Sequence, residues 1–406
     1  MAGARRIVVI GGGVVGCSVA YHAAKAGAGD VLLVERDRLG SGTTWHSAGN
    51  ITWRPGAQHD AMVLYALDLI RSLPDEVGQE TGWVQTGRLF LAHGAAAIAA
   101  LQRYQDQAAD RGVGSRMITG AEAARLHPLL NGEAVTAAWL NPLSGRINPA
   151  DLTAAFAKGA RRHGATILEE CAATGLQVRG GRVAAVETSQ GVFEADAVVV
   201  AAGLWSRSLV RPLGLHLAQW HCEHFYLIAD VTPRLARDTP SFVIPEDLLY
   251  GREEVGGMML GFFDENAKII EDGALPEPFS FTLLPPDWDK IEPYFERALQ
   301  IFPPLETAPV RRFVNGPESF TPDDLPLIGE AEELPGLFLC TAMNSGGVTY
   351  SAGAGQIIAD LIAGREPRFS PSRFMPARFG EKARDLDWLK REVSAVVSRG
   401  YRQTNL

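Results

Sequence analysis

The residues best suited to chemistry stand at the start of the chain, where Arg6-Ile7-Val8-Val9-Ile10 runs into Gly11-Gly12-Gly13-Val14-Val15-Gly16. An apolar strand, a Gly-x-Gly-x-x-Gly turn and a helix-like stretch at 17–26 together make a cradle for a pyrophosphate. Gly11 permits the sharp turn from strand to helix. Gly13 leaves the backbone open to the phosphates, and Gly16 lets helix and strand pack closely. The helix start adds free N–H groups and the positive end of a dipole. A second apolar run, residues 31–34, ends in Glu35, about 20 residues past the last glycine, where a carboxylate can accept bonds from a ribose diol. That acid favours a free 2′-hydroxyl, hence NAD or FAD over NADP. His46 lies further on, in a loop rich in Gly, Ser and Thr. A neutral imidazole there is a nucleophile, and equally a partner for backbone or substrate.

These residues need elements to hold them. Residues 1–36 read as a βαβ unit, and 37–60 as a polar loop carrying Trp45, His46, Trp53 and Arg54. Helical patterns are expected at 62–73, at 95–112 (Ala/Gln-rich and exposed) and from Asn148-Pro149 to 163, where proline suits the first turn. Strands are expected at 87–92, 165–168 and 176–188, with Gly180-Gly181 as a hairpin turn. The continuous apolar run 197–202 predicts a buried parallel strand. Residues 215–310 change character, with strand-like runs, many prolines and a helical piece at 288–302, as in a second domain on an antiparallel sheet. A last strand at 336–342, the Asn344-Ser345-Gly346-Gly347 turn and a small-residue helix at 351–363 return to the nucleotide domain. A charged helix is expected at 381–398.

Bulk properties narrow the field. With 406 residues, 46% of them apolar, the chain has material for two or three domains. A net charge of −9 argues against nucleic acid or an anionic membrane surface as the main partner. No apolar run reaches the ~18–20 residues of a membrane span, and the N-terminus enters the first strand without room for a signal peptide. The four cysteines are scattered without a Cys-x-x-Cys pair, which fits a reducing cytoplasm and no structural metal. His221-Cys222-Glu223 is not read as a metal site, because adjacent strand residues point to alternating faces.

Three features together resemble the D-amino-acid-oxidase-like FAD oxidoreductases: the dinucleotide unit, the strand ending in Ala201-Ala202-Gly203-Leu204-Trp205-Ser206, and Phe320-Thr321-Pro322-Asp323-Asp324-Leu325-Pro326-Leu327-Ile328-Gly329 with Asn344 to Gly347. Within that group the chain is similar to the dehydrogenase half of dimethylglycine and sarcosine dehydrogenases. Gly40-Ser41-Gly42-Thr43-Thr44-Trp45-His46-Ser47-Ala48-Gly49 matches their flavin-attachment loop, and Tyr250-Gly251-Arg252-Glu253-Glu254-Val255-Gly256-Gly257 their Tyr-x-Arg-Glu-x-x-Gly-Gly segment. Asn50-Ile51-Thr52-Trp53 departs from the Leu-rich continuation of that loop, on the substrate side.

The resemblance implies an α/β FAD-binding domain, Rossmann-like and of glutathione-reductase type, from residues 1–80, 145–215 and 311–366. An inserted α+β substrate domain on an antiparallel sheet would come from 81–144 and 216–310, with 367–406 a helical tail. It implies FAD, bound covalently through His46. The cofactor contacts would be Gly11, Gly13, Gly16, Glu35, Arg36, Thr43, Thr44, Ala202, Gly203, Trp205, Gly346, Gly347, Val348 and Thr349. The start of the last helix would stabilise charge on the reduced flavin. His224 and Tyr250 correspond to the active-site histidine and tyrosine, and Arg54 and Arg252 are candidates to clamp a substrate carboxylate through the planar guanidinium fork.

The expected reaction is oxidation of the C–N bond of an N-methylated amino acid, with formaldehyde released after imine hydrolysis. The rivals are α-carbon oxidation of an amino or imino acid and a non-catalytic flavoprotein subunit of a larger complex. Expected partners are a small-molecule amine and, as electron acceptor, oxygen or an electron-transfer flavoprotein. The chain ends about where a folate-binding half would begin, so a separate folate-dependent protein is expected to take the one-carbon unit.

Overall fold

A computed structural model describes residues 4–56 and 59–400. The parts of the expected domains and tail at 1–3, 57–58 and 401–406 lie outside the described residues.

The nucleotide side is a six-stranded sheet in the order Leu327–Glu330, Leu337–Thr341, Ala197–Val200, Arg6–Ile10, Asp30–Val34, Thr166–Leu168. Every pairing is parallel except that of the edge strand Leu327–Glu330. Val198, Val199 and Val200 are wholly buried between neighbours on both sides; burying each valine contributes roughly 1.5–3 kcal/mol. The helix Val14–Lys25 crosses from the first strand to the second as the βαβ pattern predicts. The helix Gly347–Ile362 packs on it through small residues. A Cβ on Gly355 would come within 2.6 Å of Ser18 Oγ, so glycine sets this close approach. That helix starts four residues earlier than expected, at Gly347, which brings its free N–H groups to the Asn344–Gly346 turn. The hairpin at Gly180-Gly181 forms as expected, with both glycines at positive φ (59° and 76°).

The second sheet has nine strands. Eight strands from 88–141 and 220–270 and a ninth, Val310–Phe320, form it, antiparallel throughout except where Ser241–Ile244 runs parallel to Arg88–Ala92. The expected antiparallel sheet is thus a mixed one at the junction of its two sequence segments. The strand Val310–Phe320 pairs along its whole length with Trp220–Ala229, so residues 311–320 belong to this sheet rather than to the FAD-binding segment beginning at 311. Continuous pairing, which the sequence does not display, moves the boundary.

The tail also differs. A 3-10 stretch, Pro376–Arg384, ends at Asp385, whose side chain accepts from Trp388 N–H (3.0 Å) and starts a new helix, Leu386–Arg399. Leu389, Val393 and Val397 of that helix pack on Trp220, Cys222 and Phe320.

Candidate active site

Local geometry explains the glycine turn. Gly11 sits at φ 110°, and a Cβ there would overlap the Ala201 carbonyl. A Cβ on Gly16 would overlap the Gly11 carbonyl. At Gly13 the nearest atom to such a Cβ is Thr44 Oγ1, at 3.2 Å, so this backbone faces open space. Gly16 therefore packs the turn, while Gly11 and Gly13 line a cavity of about 400 Å³.

Glu35, Arg36, Thr43, Thr44, Ala202, Gly203, Trp205, Gly347 and Val348 line the same cavity. Thr44 Oγ1 accepts from Val14 N–H (3.1 Å), and Thr43 Oγ1 donates to the Pro317 carbonyl (3.2 Å). The Glu35 carboxylate accepts from Gly12 N–H (2.5 Å) and Asp37 N–H (2.9 Å); burial pushes its pKa up. The Arg36 guanidinium lies 3.8 Å over the Trp205 ring and donates to the Phe279 carbonyl (3.0 Å). One end thus offers a carboxylate and a cation stacked on an aromatic ring, and the other the start of a long helix. With the open backbone at Gly13, these residues fit an extended dinucleotide such as FAD.

A second chamber of about 140 Å³ adjoins the first, and Ser47, Glu318, Asn344, Ser345 and Val348 line both. His46, Arg54, His224, Tyr250, Gly346 and Thr349 face this second chamber. His46 is buried, its ring seated on Gly316, where any Cβ would overlap it. Its Nε2 has no hydrogen-bond partner among the described residues. Burial, with a smaller effect from His224, lowers its pKa to about 4, so the imidazole is neutral. His224 Nε2 and the Tyr250 hydroxyl share a hydrogen bond of 2.9 Å, their rings parallel and 5.9 Å apart. Burial also depresses His224. Phe263 lies 4.8 Å from the His224 ring. The Tyr250 ring lies over Gly261, its cross-strand partner, where a Cβ would overlap it.

One expected clamp is displaced. Arg252 is buried outside both cavities. It donates to the Ala48 carbonyl (2.7 Å) and the Glu253 carbonyl (2.7 Å), and pairs with Glu254. It latches the His46 loop to the sheet instead of facing the chamber. Arg54 does line the chamber. Thr349 belongs to the chamber rather than to the dinucleotide cavity and donates to the Asn50 carbonyl (3.1 Å).

Sequence reasoning missed Arg88, His59, Asp324 and Tyr350 on the chamber wall, and Glu318 between the two cavities. Arg88 donates to Thr52 Oγ1 (2.9 Å) and the Phe242 carbonyl (3.2 Å). His59 Nε2 and the Tyr350 hydroxyl are 3.0 Å apart, and burial, aided by Arg54, lowers His59 to about 3. No local motif marks Arg88, His59, Tyr350 or Glu318, whereas Asp324 sits inside the Phe320–Gly329 segment without a role that the segment itself discloses. The glycines that seat the rings did leave a signal, since glycine inside an apolar strand indicates a close approach.

Among the described residues no group of three or more His, Cys, Asp or Glu side chains is placed to hold a metal ion, and no helix is long and apolar enough to cross a membrane.

Comparison with known proteins agrees with this geometry. The family described as "FAD dependent oxidoreductase" (DAO) matches residues 6–361. The chain is 33% identical over 404 residues to mitochondrial sarcosine dehydrogenase of Mus musculus, covering 97% of this chain and 44% of that protein. It is 32% identical over 403 residues to the formaldehyde-forming 4-methylaminobutanoate oxidase of Paenarthrobacter nicotinovorans, covering 98% of this chain and 48% of that protein. The chain thus spans less than half the length of these relatives. Among solved structures, L-proline dehydrogenase from P. horikoshii superposes with a TM-score of 0.81 at 25% identity, covering 94% of this chain and 99% of that one.

Proposed function

This chain belongs to the DAO family of FAD-dependent oxidoreductases, and from that premise we propose that it oxidises the C–N bond of an N-methylated amino acid. The methyl carbon leaves as formaldehyde when the imine product hydrolyses. The observation that carries this reading is the second chamber, which sets the hydrogen-bonded His224–Tyr250 pair and the neutral His46 against the dinucleotide cavity. Two of the similar proteins, sarcosine dehydrogenase and 4-methylaminobutanoate oxidase, bear names of N-methyl amine enzymes.

FAD, when bound, supplies the two-electron acceptor. The protein's part is to bind, orient and keep dry. Arg54 receives the substrate carboxylate, where a planar guanidinium favours bidentate contact. His224 and Tyr250 position the amine, and Phe90, Val243 and Phe263 on the chamber wall exclude water. His46 is the attachment point for a covalent flavin: its imidazole is neutral, and its unpartnered Nε2 has a free lone pair in one tautomer. The electrons pass on to oxygen or an electron-transfer flavoprotein, and a separate folate-dependent protein would take the one-carbon unit. We place the protein in the cytoplasm.

The test is anaerobic addition of sarcosine, dimethylglycine and longer N-methyl amino acids to the flavin-loaded protein. The expected result is bleaching of the flavin with formaldehyde formed in step. Ammonia in place of formaldehyde assigns oxidation at the α-carbon, and a flavin that no amine bleaches removes the catalytic reading. For His46, yellow colour retained in the acid-precipitated protein supports attachment, and all flavin in the supernatant refutes it.

A further inference from the structure

Resting on the amine-oxidation reading above, we propose that Asp324 is a catalytic residue that takes the proton from the substrate's ammonium group. Asp324 lines the second chamber with Arg54, His59 and Tyr350. Its loop is tied on both sides. Thr321 N–H donates to Asn344 Oδ1 (2.8 Å), joining the loop to the turn before the last helix, and Asp323 pairs with Arg378 (2.8 Å). Asp324 itself is held at φ 62°, a left-handed conformation that aspartate tolerates better than most residues. Its neighbours use their side chains to brace the loop, whereas the Asp324 carboxyl makes no hydrogen bond within the described residues. A braced loop that presents an uncommitted acid to a substrate chamber is built for a ligand.

The charges around it make the chamber bipolar. Arg54 faces Asp324 from the flavin-attachment loop and Arg399 from the C-terminal helix, while Asp323 lies beside it. His46, His59 and His224 share the chamber, and all three are held neutral. A zwitterionic amino acid fits this layout, its carboxylate on Arg54 and its ammonium on Asp324. In the step itself the substrate N–H bond breaks and an O–H bond forms on the carboxylate. The electron pair stays on nitrogen, and the neutral amine can then be oxidised. Afterwards the proton leaves to solvent.

His46 and His59 are poor competitors for this proton, because they become cations only well below neutral pH, and burial lowers His224 as well. Burial instead raises the Asp324 carboxyl to about 7, which suits a base working near neutrality.

The experiment measures anaerobic flavin reduction by an N-methyl amino acid from about pH 6 to 9 in the wild type, Asp324→Asn and Asp324→Gly; glycine suits the left-handed backbone, so that variant keeps the loop. Binding of acetate, which has the carboxylate without the amine, is monitored in parallel by the flavin spectrum. In the wild type the reduction rate is expected to rise with pH through about 7. Both variants should lose that limb, fall about 100-fold at neutral pH and recover at high pH, where free amine is supplied by solvent. They should bind acetate at least as tightly as the wild type. A limb and rate unchanged in the variants assign the proton to another group, such as His59, and overturn the proposal. So does loss of acetate binding, which means a structural role. A wild-type flavin that no amine reduces is a separate outcome and removes the amine-oxidation reading and this proposal together.

Discussion

An imidazole can attack an electrophile or accept a proton only when it is neutral, and burial keeps His46, His59 and His224 in that form. The His224 and Tyr250 rings lie parallel on the chamber wall, joined by a hydrogen bond between their polar tips. His224→Ala should therefore slow flavin reduction by the amine about 100-fold, and Tyr250→Phe about 10-fold, with bound flavin retained. Stopped-flow reduction against flavin content checks this, and unchanged reduction rates would remove the pair from the site. The two arginines can be told apart by the same kind of measurement. Arg54→Leu should raise KM for the amino acid more than it lowers kcat, because it removes a binding contact. Arg252→Leu should leave KM nearly unchanged and lower stability by about 1–3 kcal/mol, since the carbonyls of Ala48 and Glu253 lose a buried charged donor. A rise in KM in Arg252→Leu with unchanged Tm would reverse the assignment.

At the scale of elements, three strands carry the Tyr250 ring and the two glycines that receive rings, and the His46 ring comes from the 3-10 turn Thr43–His46. Tyr250 and Gly261 are cross-strand partners, and Gly316 faces the His46 ring from the long strand Val310–Phe320. Gly261→Ala should displace the tyrosine, destabilising the protein by about 1–3 kcal/mol and lowering amine turnover about as far as Tyr250→Phe. Thermal unfolding and reduction rates test both parts, and wild-type turnover in the Gly261→Ala variant would show that Tyr250 does not need this seat. These elements were only half legible. Gly261 could be placed on a strand from its apolar run, but its apposition to Tyr250 depends on register. The tail misled for a related reason: its charged run reads as one helix from 381, whereas the Asp385 cap starts the helix at Leu386.

Over the whole molecule, buried histidines dominate the response to acid. His22, His46, His127 and His221 are lowered to about 4 and His59 to about 3, and His224 is lowered too, each chiefly by burial. Unfolded histidine takes a proton near 6.5. The stability they contribute is fully present above that pH and is lost as pH falls toward about 4. Glu35 and Asp324, raised by burial, and His93, raised by its hydrogen bond to Asp247, act in the opposite sense, but they are three against six. The Tm should therefore fall steadily from pH 7 to about 4.5, more steeply than carboxylate titration alone would give. A Tm that holds or rises over that span would contradict the neutral assignment of the chamber histidines.

By itself, the sequence determined the dinucleotide cradle. Gly11, Gly13, Gly16 and Glu35 act within one βαβ unit, and short-range backbone geometry decides what such a unit can hold. The motifs around His46, Ala202-Gly203 and Asn344–Gly347 likewise pointed to turns that line the two cavities, because each is a short segment whose shape is set by its own residues. Only the tertiary structure decided the chamber. His46, His59, His224, Tyr250 and Asp324 are scattered over more than half the chain and line one chamber only in the folded protein; sheet pairing sets His224 and Tyr250, while His46, His59 and Asp324 arrive on a turn, a helix start and a loop. It also decided that Arg54 faces the chamber while Arg252 does not. Both are arginines beside plausible motifs, and the difference lies in which carbonyls and carboxylates come within reach once two sheets have closed around them.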